Sequence, residues 1–382
     1  MYRCEVVHPG ELDAETRKAW SALTASAEFG SALLHPDFAC AVGQVRADAR
    51  VALYRQNGRL EAVLAYHARP GGLARPLAAP FSDLQAFVCA PGCTMSGAEA
   101  LHLAGLRAYR FDALTDPRRR FGGVTARGHV HAIIPGPDIN AFLEGLRAAN
   151  PKRFKNHRRL ARQMELQRGA LDLITDDHDP RHFDQLLEWK HTQFARTGRH
   201  DVLKPAWAGK LMTGLFNGGT GEARGLMVSL KAGGRMVAGL FGVRTGDRYN
   251  PWVAAYDPVY APWSPGQTLL HGLVEAMPAL GLKRCDLGAG HGHYKKYYAN
   301  AAIPVVAGLE TAPGAARRAT GLRTMLWTAG EHFPLTGLAA RTASLHRRFD
   351  QISAADLDFP GRIAGTLRAF SAPRHGPQES AA

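Results

Sequence analysis

Between Leu226 and Tyr256 the chain reads as three apolar strands in succession, Leu226 to Leu230, Met236 to Val243 and Tyr249 to Tyr256. Strands joined by turns this short pair antiparallel with their neighbours, because a parallel pair needs a crossover of a dozen or more residues. This part of the chain therefore cannot be a doubly wound parallel sheet. An amphipathic helix follows, with Leu269, Leu270, Leu273, Val274 and Met277 on one face. Then come a strand, "RCDLGAG", a short helix in "HGHYKKYYAN" and another strand, "IPVVAGLET". The expected class is α+β, with a mixed sheet.

The first hairpin of this meander, "LMVSLKAGGRMVAGLFGV", has a counterpart about 176 residues earlier in "VALYRQNGRLEAVLAY". In each, an apolar strand, a Gly-Arg turn and a second apolar strand succeed one another, with Ala three residues past the Arg. Two unrelated hairpins or two copies of one strand-rich unit would both look like this. The earlier hairpin runs on through "RPLAAPFSDLQAFV" and a helical "GAEALHLAGLRAYR" into "HVHAIIP". The boundaries expected from this pattern are 1–148 and 149–314, with an Arg-rich helical extension over 315–382 whose last dozen residues read as disordered. The second segment opens on a helix carrying seven Lys or Arg between Lys152 and Arg168 against the single acid Glu165.

The stretch Asp286-Leu-Gly-Ala-Gly-His-Gly offers a competing reading. A glycine-rich turn after a strand, with Glu310 placed 24 residues on to meet ribose hydroxyls, is how methyltransferases hold S-adenosylmethionine. That loop belongs to the first strand of a parallel sheet, and too little chain follows Glu310 to supply the remaining strands.

The 382 residues suit two domains rather than one core. A net charge of +14 favours anionic ligands without choosing among them. Five scattered cysteines argue against a disulfide framework and for a reducing compartment, the cytoplasm. No run is long and apolar enough to span a bilayer, so any membrane contact would be peripheral, at the inner membrane. His291-x-His293 beside Cys285 lacks a fourth ligand and Cys89-x-x-x-Cys93 lacks a partner pair, so no metal is expected. Nor is there a phosphate-binding loop of the G-x-x-x-x-G-K-[ST] type.

From about Asn150 to Asn300 the motifs resemble those of a known family. "KNHRRLARQMELQRG" is similar to its basic helix, "AAYDPVYAPWSPGQTLL" to its Tyr-Asp followed by Ser-Pro-Gly, and "CDLGAGHGHYKKYY" to its Asp-x-Gly-x-Gly followed by Tyr-Lys. "PFSDL", from Pro80 to Leu84, resembles its N-terminal Ser-Asp motif. The family is that of the CelD/BcsL-like acetyltransferases of bacterial polysaccharide biosynthesis, a GNAT branch related to the FemAB peptidyltransferases. The resemblance implies tandem GNAT domains (the acyl-CoA N-acyltransferase fold) and acetyl-CoA as donor. The implied acceptor is an amino sugar of an exopolysaccharide precursor, on a nucleotide or lipid diphosphate. Size and the Arg-rich extension are similar to the holdfast-polysaccharide branch, associated with cyclic-di-GMP binding, and no DNA partner is implied. The usual donor-loop signature Q/R-x-x-G-x-G/A is replaced by Ser264-Pro265-Gly266-Gln267. Two alternatives therefore stay open: a FemAB-like transferase using aminoacyl-tRNA, and an inactive GNAT-shaped receptor holding cyclic-di-GMP through arginines such as Arg317, Arg318, Arg323, Arg347 and Arg348.

Acyl transfer to an amine needs a base, donors for an oxyanion and an acid for the departing thiolate. Asp286 and Asp83 are candidates for the base or for an anchor of the acceptor ammonium. His293, like His291, has a suitable pKa, and Tyr294 could protonate the leaving sulfur. Lys295 or Lys296 is expected to meet a phosphate. Lys155, Arg158 and Arg159 on the basic helix are expected to anchor a diphosphate, and Tyr256 comes in through the Tyr-Asp motif. Ser264, Pro265, Gly266 and Gln267 read as a capped helix start facing the donor's pyrophosphate, with Ser264 and Gln267 forming a capping box.

Overall fold

The computed structural model describes residues 1–25, 30–289 and 295–314. In chain order the elements are β1 Arg3–Val7, α1 Ala14–Thr24, α2 Pro36–Val45, β2 Ala49–Gln56, β3 Arg59–Arg69, β4 Leu73–Pro76, β5 Gln85–Ala86, β6 Val88–Cys89, α3 Gly97–Leu103, β7 Ala108–Thr115 and β8 Val124–Ile133. They continue as α4 Ile139–Ala149, α5 Pro151–Arg168, β9 Leu171–Ile174, α6 Pro180–Thr197, α7 Ala206–Phe216, β10 Arg224–Ala232, β11 Arg235–Thr245, β12 Arg248–Tyr256, α8 Pro265–Ala276, β13 Arg284–Ala289, α9 Lys295–Tyr298 and β14 Ala301–Thr311. The chain forms two compact units. Among the described residues the first holds Met1–Gly128, Gly198–Leu211 and 304–314, and the second His129–Thr197 and Met212–Ile303.

Each unit carries a mixed sheet of the same order. In the first the strands run β1-β2-β3-β4-β7-β14, and in the second β9-β10-β11-β12-β13-β8. Within each order the one parallel contact is the fourth with the fifth strand, β4 with β7 and β12 with β13. The sixth strand is antiparallel in both. The sixth strand of each unit is drawn from the other half of the chain, which is why the units are discontinuous in sequence.

The two hairpins match residue for residue. Asn57-Gly58 and Gly233-Gly234 both have positive φ at the two turn positions, the type I′ geometry whose twist suits a hairpin. Pairing starts at Gln56↔Arg59 and Ala232↔Arg235, and each second strand then bulges at one residue, Glu61 or Val237. A bulge conserved between two copies of one pattern marks a shared bend rather than a packing accident.

In the second unit both sheet faces are covered. Leu226, Val228 and Leu230 of β10 join Phe154 and Met164 of α5 and the Leu269, Leu270, Leu273, Val274 and Met277 stripe of α8 in one core. On the opposite face Phe183 of α6 stacks on Phe216 of α7 at 4.3 Å and meets Phe241 of β11 edge-on at 5.0 Å. Alternate residues of a strand thus serve two layers, which explains why β10 and β11 read as nearly continuous apolar runs.

Two expectations need correction. The helix expected through Arg110 ends at Leu103, because Gly105 takes a left-handed φ of 67°, and β7 begins at Ala108. A Gly in that conformation closes a helix, and the Arg and Asp in "AYRFDALT" hid the strand that follows. The capping box at Ser264 does not form. Ser264 is left-handed (φ 52°), its hydroxyl caps no first-turn amide, and its N–H closes the preceding 3-10 turn onto the Ala261 carbonyl at 3.1 Å. A side-chain cap needs extended backbone at that position, and the turn denies it.

The methyltransferase reading fails on topology. β13 lies between parallel β12 and antiparallel β8 rather than heading a parallel sheet. Glu310 is buried and accepts the Gly123 N–H at 2.9 Å. Among the described residues no helix is long and apolar enough to cross a membrane. The Arg-rich extension, with its arginines, and the disordered tail expected there lie outside the described residues.

Candidate active site

The second unit contains a wedge where two neighbouring strands separate. β12 and β13 pair only at Arg248↔Arg284 and Tyr249↔Cys285. Just beyond, Phe241 faces Val253 while Gly242 faces Pro251, so Trp252 is a bulged residue that bends β12. A Cβ on Gly242 would collide with the Asn250 carbonyl and the Pro251 backbone, so glycine is required for β11 to approach the bend. On the other side of the wedge β13 bulges at Leu287, and Gly288 takes a φ of 74° that favours glycine. This is the structural use of the first glycine in the "DLGAGHG" stretch. The parted strands leave main-chain groups of β12 without a sheet neighbour on that side, the requirement for docking an extended, amide-bearing ligand.

At the apex the buried Asn250 donates its side-chain amide to the Asp286 carbonyl at 3.3 Å. Its Oδ1 is buried and has no hydrogen-bond partner among the described residues. The Asp286 side chain is fully buried, and Oδ1 accepts from Arg284 Nε at 2.7 Å. Lys295, also buried, donates to the carbonyls of Gly288 (3.1 Å) and Ala289 (2.6 Å), placing its ammonium on the bulged strand end. Lys296 is exposed and lies 4.9 Å from the Tyr297 ring centre, with the Arg153 guanidinium 4.1 Å from that same ring. Tyr256 is half-buried at the end of β12.

α5 presents two faces. Lys155, Arg158 and Arg159 are exposed, and among the described residues Arg159 bonds along its own helix, to Asn156 and Gln163. The inward face carries Arg153 and His157, beside the apolar marks Phe154 and Met164 that could have identified it in the sequence. Arg153 Nη2 donates to Gln267 Oε1 at 3.2 Å, while its buried Nε has no partner among the described residues. His157 Nε2 lies 3.3 Å from Thr268 Oγ1, and its Nδ1 is likewise buried and unpartnered. Burial, with help from the nearby His271 and arginines, lowers the His157 pKa to about 4, so the ring is neutral at physiological pH.

His271 links interior to surface. The Tyr298 hydroxyl lies 3.4 Å from His271 Nδ1, and His271 Nε2 lies 3.3 Å from Glu275 Oε1. Burial raises the Tyr298 pKa, so the phenol keeps its proton and donates to Nδ1; the neutral imidazole then carries its hydrogen on Nε2, toward Glu275. Neither Tyr298, Arg153, His157 nor Asn250 stood out in the sequence, since each belongs to a motif in which other letters looked more chemical.

Of the residues singled out in the sequence, Asp286, Lys295, Lys296, Tyr256 and Ser264 to Gln267 all belong to the second unit, as does the exposed Lys155, Arg158 and Arg159 face. Asp83 belongs to the first, half-buried in a turn where its N–H bonds the Phe81 carbonyl at 3.1 Å. His293 and Tyr294 lie outside the described residues. No group of three or more His, Cys, Asp or Glu among the described residues is arranged to hold a metal.

Residues 151–296, from the first residue of α5 into α9, match the family described as an acetyltransferase (GNAT) domain. The fold resembles several solved structures at low sequence identity. FemX is 11% identical with a TM-score of 0.50, over 80% of this chain and 96% of that one. A conserved protein of unknown function from Bacteroides thetaiotaomicron is 10% identical, also with a TM-score of 0.50, over 79% of this chain and 98% of that one. A tandem GNAT protein from the clavulanic acid biosynthesis pathway is 12% identical, with a TM-score of 0.43, over 82% of this chain and the whole of the other. No curated protein matches the sequence.

Proposed function

We propose that this chain, an enzyme carrying an acetyltransferase (GNAT) domain, transfers an acetyl group from acetyl-CoA to the amine of an amino sugar in an exopolysaccharide precursor. The observation that carries the reading is the wedge between β12 and β13, which opens after two paired residues and is held at its apex by Asn250. The residues present fit such a donor. An extended pantetheine arm can hydrogen-bond along the edge of β12 that β13 leaves, where the Ala254 carbonyl accepts from Lys190 at 3.1 Å, and a diphosphate can meet the Gly266 end of α8 together with Arg153, whose buried Nε lacks a partner among the described residues. Bound acetyl-CoA supplies the activated acyl group. The chain's own groups orient and exclude water: Lys295 fixes the bulged end of β13, and Asp286 with Arg284 holds the strand behind it. The Tyr298, His271, Glu275 series gives a proton a path between the interior and the surface. The sequence motifs support the polysaccharide branch of the family as the source of the acceptor, with the sugar on a nucleotide or lipid diphosphate, a cytoplasmic setting, and cyclic-di-GMP acting through the Arg-rich extension.

Calorimetric titration with acetyl-CoA, S-adenosylmethionine and cyclic-di-GMP in parallel tests this. Acetyl-CoA is expected to bind and the methyl donor to be ignored, with thiol release on adding glucosamine-type amines. A chain cut after Ala315 is expected to keep acetyl-CoA and to lose the cyclic dinucleotide. Binding of S-adenosylmethionine alone would overturn the reading.

A further inference from the structure

The first unit has the same parted strands as the second, and its own chain fills the gap. β4 and β7 pair only at Leu73↔Ala108 and Ala74↔Tyr109, matching the two pairs at the root of the wedge in the second unit. Beyond them, β5 lies along β7 in parallel, at Gln85↔Leu114 and Ala86↔Thr115. β7 is irregular where β13 is, since Phe111↔Gly308 is followed by Leu114↔Val306 and leaves Asp112 and Ala113 opposite the single residue Ala307. The buried Gln85 takes both irregular amides: its Oε1 accepts from Asp112 N and Ala113 N, each at 3.2 Å. Its Nε2 donates to the Asp112 carboxylate and, at 3.1 Å, to the Ser82 carbonyl. The segment is anchored at its start as well, where the Ala78 N–H donates to the buried His67 at 2.9 Å.

A void of about 20 Å³ lies beside this segment, between its Ser82, Gln85 and Ala86 and the side chains of Trp20 in α1 and Ala39 in α2. That is room for a single water and for nothing larger. We propose that residues 77–86 act as a built-in occupant of the first unit's strand opening, with Gln85 standing where a ligand's amide would, so that the chain takes one acyl donor only, in the second unit. The "PFSDL" motif thereby acquires a role as the core of the seal. The stoichiometric part of this inference rests on the acetyl-CoA reading; the sealing itself does not.

Two measurements keep those apart. In calorimetry, full-length protein is expected to bind one acetyl-CoA, and Gly266→Glu, which places an acid where the second unit would meet the donor's phosphates, is expected to bind none. Two sites, or one site surviving Gly266→Glu, overturns the proposal and leaves the acetyl-CoA reading standing. Absence of binding in both sinks that reading, and hydrogen exchange then decides the seal. The Asp112 and Ala113 amides are expected to exchange slowly in the ligand-free wild type and at least about tenfold faster in Gln85→Ala. Rapid exchange of both amides in the wild type overturns the proposal, whether or not the variant folds.

Discussion

Asn250 reaches from β12 to the main-chain carbonyl of Asp286 on β13, 3.3 Å away, at the position where the two strands cease to pair. One side chain thus substitutes for the missing sheet hydrogen bonds and sets how far the wedge opens. Asn250→Ala leaves the Asp286 carbonyl buried without this donor, an effect on the order of 1–3 kcal/mol. Urea unfolding should show a lower midpoint with an unchanged slope, and the acetyl-CoA KM should rise because the opening loses its fixed width.

Asp286→Asn separates a positioning role from a structural one. The variant keeps an acceptor for Arg284 but removes the charge from a buried pair, so stability should fall by about 3 kcal/mol, the low end for a broken buried pair. If Asp286 acts on the acceptor, acetyl-CoA affinity should stay within about threefold while turnover is lost. Calorimetry alongside steady-state rates reads both, and wild-type turnover would remove Asp286 from the chemistry.

The sequence made the β10-β11-β12 meander and the α8 stripe readable because the turns are short and the stripe regular, whereas β9 at one edge and β8, which comes from the other half of the chain, gave no such signal. The hairpin repeat pointed to duplication through Gly58-Arg59 and Gly234-Arg235, and the matching bulges at Glu61 and Val237 give it structural form. The site was less legible. Charge drew attention to Lys155, Arg158 and Arg159, yet α5 turns Arg153 and His157 inward, since Phe154 and Met164 fix its rotation. Asn250 and Gln85 carried no signal, because an amide gains its role only from the strand geometry around it.

Gly242→Ala tests the bend itself. A methyl there meets the Asn250 carbonyl and Pro251 backbone, which cannot yield without moving β12. The expected result is a loss of about 2 kcal/mol or more, since overpacking against backbone is not relieved by a rotamer change. Activity at a temperature where the variant remains folded should fall with it; unaltered stability and rate would show that the bulge is not fixed as described.

Acid should weaken the fold through its buried imidazoles. His157 in the second unit and His67 in the first each have a pKa lowered to about 4, chiefly by burial, against about 6.5 when unfolded. The unfolded chain therefore binds more protons between those values, and stability that is complete above about pH 6.5 declines as pH falls toward about 4. Protonating His67 would also take away the acceptor that holds the Ala78 N–H. His157→Gln removes one of these contributions, about 2 kcal/mol after allowance for solvent screening. Denaturation midpoints between pH 7 and pH 4.5 should fall less steeply in that variant than in the wild type, with the remaining slope carried by His67 and by His271, whose pKa burial also lowers. Identical slopes would mean that His157 is already protonated, or already solvated, in the folded protein.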